Sequence, residues 1–317
     1  MEQNKYRQIQ HRPLFVVTAS LLLLSLSTMS GFARLTRLEP QAKSGSTFVA
    51  VVSRAGANDG EGNLDAVVLV ENGKLRQPYP EYNEAAMRKF ASEYFATGKK
   101  YRVTFGGGEI GNLTIKGFDT GCNNIHAKAS VEDNGKIPAY LSALATDSDS
   151  LGRKPSSRRA PTQAERQAMD ILVAQIYRSR GTPLAVYHTV VTINLTATDL
   201  DGDGKFELIG SFVAQTKTGA RRDLLLIADP VGATRLPIPE HPVALKFKPA
   251  LVKLQAYKLP PEGFDSAIDF VDQLDLDGDG VAEVFVQQHG FDAYGYSIYK
   301  KSAGRWRAVY TTTGDAC

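Results

Sequence analysis

Two acidic runs stand 76 positions apart and match at almost every step: Asp199-Leu200-Asp201-Gly202-Asp203-Gly204-Lys205-Phe206-Glu207 and Asp275-Leu276-Asp277-Gly278-Asp279-Gly280-Val281-Ala282-Glu283. Carboxylates at alternate positions of a tight loop converge on one point. That arrangement suits a hard cation such as calcium, which takes roughly six to eight oxygen ligands in flexible geometry. The glycine after the third aspartate, Gly204 or Gly280, lets the backbone turn with positive φ. The carbonyl of the next residue, Lys205 or Val281, is then expected to face the ion, and Glu207 or Glu283 to close the shell. Without a cation, four carboxylates crowd one small loop and repel, and loop amides relieve only part of that repulsion.

An EF-hand needs an acidic residue at its twelfth loop position and a helix leading away from it. Here those positions are Gly210 and Val286. The flanks, Val190-Val191-Thr192-Ile193 before the first loop and Glu283-Val284-Phe285-Val286 from the end of the second, read as strands. The order strand, D-x-D-x-D-G-x-x-E, strand resembles the calcium loop of FG-GAP and VCBS-type repeats, similar to those of integrin alpha-chain β-propellers. The resemblance implies side-chain ligands at Asp199, Asp201, Asp203 and Glu207, and at Asp275, Asp277, Asp279 and Glu283. It spans roughly residues 184–310, and only the loops are specific. Two intact copies are present, too few for a closed propeller, and the FG and GAP tripeptides are missing around them. A degenerate third copy, Asp59-Gly60-Glu61-Gly62-Asn63-Leu64-Asp65, has Ala57 at its first ligand position and reads as a polar turn or a weakened site.

The loops need strands to hold them, and the chain supplies these. From Leu184 onward it is dense in β-branched and aromatic residues. Strands are expected over 186–198, 206–214, 223–228, 243–254, 267–274, 282–288, 294–299 and 306–311, joined as antiparallel meanders resembling propeller blades. A helix precedes them: Thr162 and Glu165 form a capping box, Met169, Leu172, Val173 and Ile176 an apolar stripe, and Gly181 a stop. The N-terminal region, 46–145, reads as a smaller α+β unit. It has a strand at 46–52, a hairpin across Glu71-Asn72-Gly73, a helix over 81–97 ending near Gly98, and strands at 101–105 and 112–117. The stretch 146–161 is rich in Ser, Arg and Pro and reads as a linker or long loop with solvated Arg153, Lys154, Arg158 and Arg159. The fold class expected is mainly β with two helices.

Residues 1–33 have the shape of an export signal: Lys5, Arg7 and Arg12, an apolar stretch over 14–26, then Gly31-Phe32-Ala33 with cleavage after Ala33. The stretch is too short to span a bilayer comfortably, and no other segment approaches that length. The chain is therefore expected in the periplasm or outside the cell, with no stable membrane span once the signal is cut. In that oxidising setting its two cysteines, Cys122 and Cys317, are expected to pair as a disulfide. A formal charge of +3 over 317 residues argues against a nucleic-acid partner.

Other patterns carry less chemistry. Gly106-Gly107-Gly108-Glu109-Ile110-Gly111 matches G-x-G-x-x-G, yet the residues after it read as a strand and not the helix a dinucleotide needs, so a Gly-rich turn is expected. The histidines are scattered, without a zinc-binding pair. Tyr294, Tyr296 and Ile298 share one strand face and Trp306, Ala308 and Tyr310 another; packing between strands is the expected role, stacking on sugar rings the rival. These readings point to an exported calcium-binding module, non-enzymatic, with an unidentified protein or glycan partner. The competing reading is an extracytoplasmic hydrolase supported by calcium.

Overall fold

The computed structural model describes residues 46–53, 60–80, 82–121, 124–133, 137–138, 141–182, 190–216, 220–234, 244–258, 267–289, 293–312 and 315–316. Residues 1–33, read above as an export signal, and Cys122, Cys317, Ala57, Asp59, His188 and His241 lie outside these residues. Over the described residues the chain is mainly β with two helices, as its patterning predicts.

The N-terminal region holds β1 (Thr47–Ser53), β2 (Glu61–Glu71), β3 (Lys74–Arg76), α1 (Glu84–Tyr94), β4 (Lys100–Phe105), β5 (Gly108–Gly121), β6 (Asn124–Glu132) and β7 (Ala143–Thr146). The sheet order β1-β7-β4-β5-β6-β2, with β2 pairing back to β1, closes a six-stranded barrel, and β3 extends β2 as a hairpin arm. Asn72 and Gly73, at φ 50° and 74°, form the hairpin turn expected of that pair. Helix α1 is shorter than the stretch 81–97 suggests, because the Asn83 carboxamide accepts the Ala86 amide at 3.0 Å and starts the helix there. Its Met87, Phe90, Ala91 and Tyr94 join Phe48, Ala50 and Val52 of β1 in the barrel core.

Helix α2 (Gln163–Ser179) carries the predicted capping box, with Thr162 and Glu165 bonding reciprocally. It packs on the sheet β8 (Val190–Thr198), β9 (Glu207–Gln215), β10 (Ala220–Thr234) and β11 (Ala244–Lys258), in the order β11-β10-β9-β8. A second sheet follows: β12 (Ala267–Leu274), β13 (Glu283–His289), β14 (Ala293–Ser302) and β15 (Arg305–Thr311), with the short β16 (Asp315–Ala316) on β14. Both are antiparallel meanders of four consecutive strands.

Strand alternation sorts side chains into layers. Leu208, Phe212, Leu224 and Leu226 face α2, while Ile209, Leu225 and Ile227 face the second sheet and meet Phe270, Val284 and Trp306. The other side of the second sheet, with Val271, Leu274, Phe285 and Ile298, packs on Val49 and Val51 of the barrel. The order is therefore helix, sheet, sheet, barrel. β1 is buried on both faces, which explains its unbroken apolar run Phe48–Val52.

Residues 147–161 differ from a free linker. Lys154 is exposed, but Arg158 is buried between the rings of Phe105 (4.4 Å) and Phe270 (4.6 Å). Backbone bonds tie the stretch to the barrel through Ser157 N–H to the Gly106 carbonyl (3.0 Å), and to β8 through the reciprocal Arg159–Ala197 pair. The expectation that all four cations are solvated fails at Arg158, because its charge has a buried partner, Asp272, at 3.2 Å.

Candidate cation loops

Each acidic run joins the first strand of a sheet to its second. Thr198 and Glu207 are directly paired across β8 and β9, and Leu274 and Glu283 across β12 and β13. The ladder therefore fixes each glutamate at the mouth of its loop, opposite the residue that precedes the first aspartate. Leu200 and Leu276, the residues between the first two aspartates, are buried and root the loops in neighbouring cores. The Ala282 amide donates to the Leu200 carbonyl at 2.8 Å, so the two loops lie side by side.

The local geometry repeats. Asp199 accepts the amides of Gly202 (2.8 Å), Asp203 (3.2 Å) and Gly204 (3.0 Å). Asp275 accepts those of Gly278 (2.8 Å) and Gly280 (3.1 Å). Both glycines of each loop adopt positive φ, at 71° and 80° in the first and 74° and 94° in the second, which only glycine takes without strain. Glu207 accepts the Leu200 amide at 2.9 Å, and Glu283 the Leu276 amide at 2.8 Å.

Three carboxylates converge in each loop: Asp199, Asp201 and Glu207 in the first, Asp275, Asp277 and Glu283 in the second, each offering an oxygen within 4.8 Å of the others. Such a group could hold a metal ion. Burial pushes the Glu207 and Glu283 carboxyls up to about 7, with Asp201 and Asp277 adding repulsion. Asp201 Oδ1 is buried and takes no hydrogen bond from the described residues. Asp203 stands apart from its triad, bonded to the Lys205 ammonium at 2.6 Å, and that contact holds its carboxyl below the usual range. Asp279 likewise lies outside the second triad and bonds Lys300 at 2.8 Å.

Sequence reasoning missed the lysines of β14. Lys300 bonds Asp277, Asp279 and Glu283, while Lys301 reaches Asp201 at 3.3 Å and Asp229 at 3.9 Å. A pair of lysines near a strand end carries no local signal of this role.

The remaining motifs resolve plainly. From Glu61 the degenerate third copy is strand β2, and its Asp65 carboxylate is taken by His126 Nδ1 at 2.5 Å and the Tyr296 hydroxyl at 2.8 Å. The G-x-G-x-x-G run is the β4–β5 turn, as expected, and β5 continues from it. Tyr296, Ile298 and Trp306 are buried, and the Tyr310 hydroxyl donates to the Val67 carbonyl at 2.8 Å, so these aromatics serve packing. His289 lies 3.9 Å from Asp269 and away from both triads. Among the described residues no helix is long and apolar enough to cross a membrane. The chain matches no family model, no curated protein and no solved structure.

Proposed function

We propose that this chain is an exported, calcium-stabilised binding or scaffold module, periplasmic or secreted, with loops of the FG-GAP and VCBS kind. The observation that carries the reading is the convergence, twice over, of three carboxylates on one point, with the glutamate of each set buried and register-locked. Burying a carboxylate beside two others is costly unless a cation balances them. Calcium suits an all-oxygen donor set on a flexible loop better than zinc or copper, which favour nitrogen and sulfur.

In this reading Asp199, Asp201 and Glu207 bind one ion and Asp275, Asp277 and Glu283 a second. Asp203 and Asp279 join after releasing their lysines, and the carbonyls of Lys205 and Val281 complete the shells. The ions clamp the β8–β9 and β12–β13 junctions, and the surface for a protein or glycan partner lies elsewhere. Extracellular modules hold calcium with dissociation constants on the order of 10⁻⁴–10⁻³ M, enough for structural loading outside a cell.

Limited proteolysis tests this. Millimolar calcium is expected to slow cleavage at residues 199–206 and 275–282 relative to chelator. Equal rates in both conditions contradict the reading.

A further inference from the structure

The two loops match in sequence but not in what surrounds them. Lys300 and Lys301 are neighbours on β14, so their side chains leave the strand on opposite faces. Lys301 bonds one member of the first triad, Asp201. Lys300 bonds two members of the second, Asp277 and Glu283 (3.1 Å), and Asp279 (2.8 Å) besides. One nitrogen within bonding distance of three carboxylates sits where those carboxylates converge. The second loop thus already holds a cation, tethered to the chain. Its side chain is 23% exposed, which leaves a route to solvent.

We infer that Lys300 is a built-in competitor for the second cation site, so that the loops load calcium in sequence, the first before the second. This rests on the reading of the loops as calcium sites. An ammonium and a divalent ion cannot share one carboxylate cage: each needs the same oxygens, and at a few ångströms their like charges repel. Calcium enters the second loop only in the fraction of molecules whose Lys300 has swung out, and the apparent dissociation constant is the intrinsic one divided by that fraction. An ammonium seated nine-tenths of the time weakens the site roughly tenfold. The tether has a second effect. When calcium is scarce it balances three carboxylates of the second loop at their point of convergence, whereas Lys301 and Lys205 each reach a single carboxylate of the first, so the first loop depends more on the ion. Calcium concentration then tightens the β8–β9 junction and the β12–β13 junction at separate thresholds.

Calorimetric titration with calcium chloride tests the inference. Asp201→Ala disables the first loop and leaves the second to be read alone. Adding Lys300→Met to that protein is expected to tighten binding by roughly tenfold. Lys154 supplies the control: its ammonium lies 3.6 Å from Asp275 on the solvent side of the same loop, 68% exposed. Lys154→Met removes the same charge without vacating the cage and is expected to change affinity by less than about threefold, the scale of a screened surface charge. An unchanged affinity on Lys300→Met overturns the inference and leaves the calcium reading intact. An equal gain from Lys154→Met also overturns it, assigning the effect to overall charge. Failure of both the unaltered protein and the Lys300→Met variant to bind calcium removes the calcium reading and the inference together.

Discussion

Arg158 and Asp272 form an ion pair at 3.2 Å with both side chains almost wholly out of water, 3% and 0% exposed. The contact joins three parts of the fold. Asp272 belongs to β12 and also accepts the amide of Gly106, in the barrel turn, at 2.9 Å. Arg158 comes from the segment between barrel and α2 and donates to the Val271 carbonyl at 2.8 Å. Burial pushes the Asp272 carboxyl up to about 6 against the opposing pull of Arg158 and the Gly106 amide. A pair of this kind is costly to break, because the survivor is left charged and unpaired.

Arg158→Ala or Asp272→Ala is therefore expected to cost about 3–5 kcal/mol in urea denaturation. The double substitution Arg158→Met with Asp272→Leu is expected to cost less than either single change, since it leaves no stranded charge. Costs that simply add would show that the two groups are not coupled.

Gly106 supplies a second expectation. Its φ is +62°, and a Cβ placed there would lie 2.4 Å from the Arg158 Cβ. Gly106→Ala combines left-handed strain with a backbone-side clash and is expected to destabilise by about 2–5 kcal/mol, read from the urea midpoint. Gly73→Ala, where nothing lies within 4 Å, is expected to show the strain component alone.

The capping box of α2 predicts an acid limb. Hydrogen bonds from Arg159, outweighing burial, draw the Glu165 carboxyl down from 4.5 to about 2. A carboxyl whose folded pKa is depressed contributes stability that is complete above its unfolded value and is lost as pH falls through the folded one. The melting temperature should drop between about pH 4.5 and pH 2, and Glu165→Gln should lower stability at neutral pH while flattening that drop. An unaltered acid limb in Glu165→Gln would contradict the assignment.

Much of this arrangement was legible in the sequence for local reasons. Thr162 and Glu165 are three apart, Asn72-Gly73 sits between alternating runs, and the repeated aspartates carry their own spacing, so each needs only its neighbours to be read. Closure of the barrel was not legible: alternation in β1 says which residues share a face, not that β2 and β7 flank it. Burial of Arg158 was hidden for a similar reason. A cation among serines and prolines reads as solvated until its partner, 114 positions later, is brought beside it. At the candidate site the carboxylates were visible, but Lys300 was not, because its reach into the second loop depends on the β13–β14 pairing and not on any motif.

The most direct test of the account is a thermal melt in chelator and in millimolar calcium, with Asp201→Ala and Asp277→Ala beside the unaltered protein. At tenfold excess over its dissociation constant each occupied site adds about 1.4 kcal/mol. Calcium is expected to raise the melting temperature, each substitution to reduce that rise, and the two together to abolish it. A melt that calcium does not move, or one that survives loss of both aspartates, would contradict the claim that these loops are calcium sites.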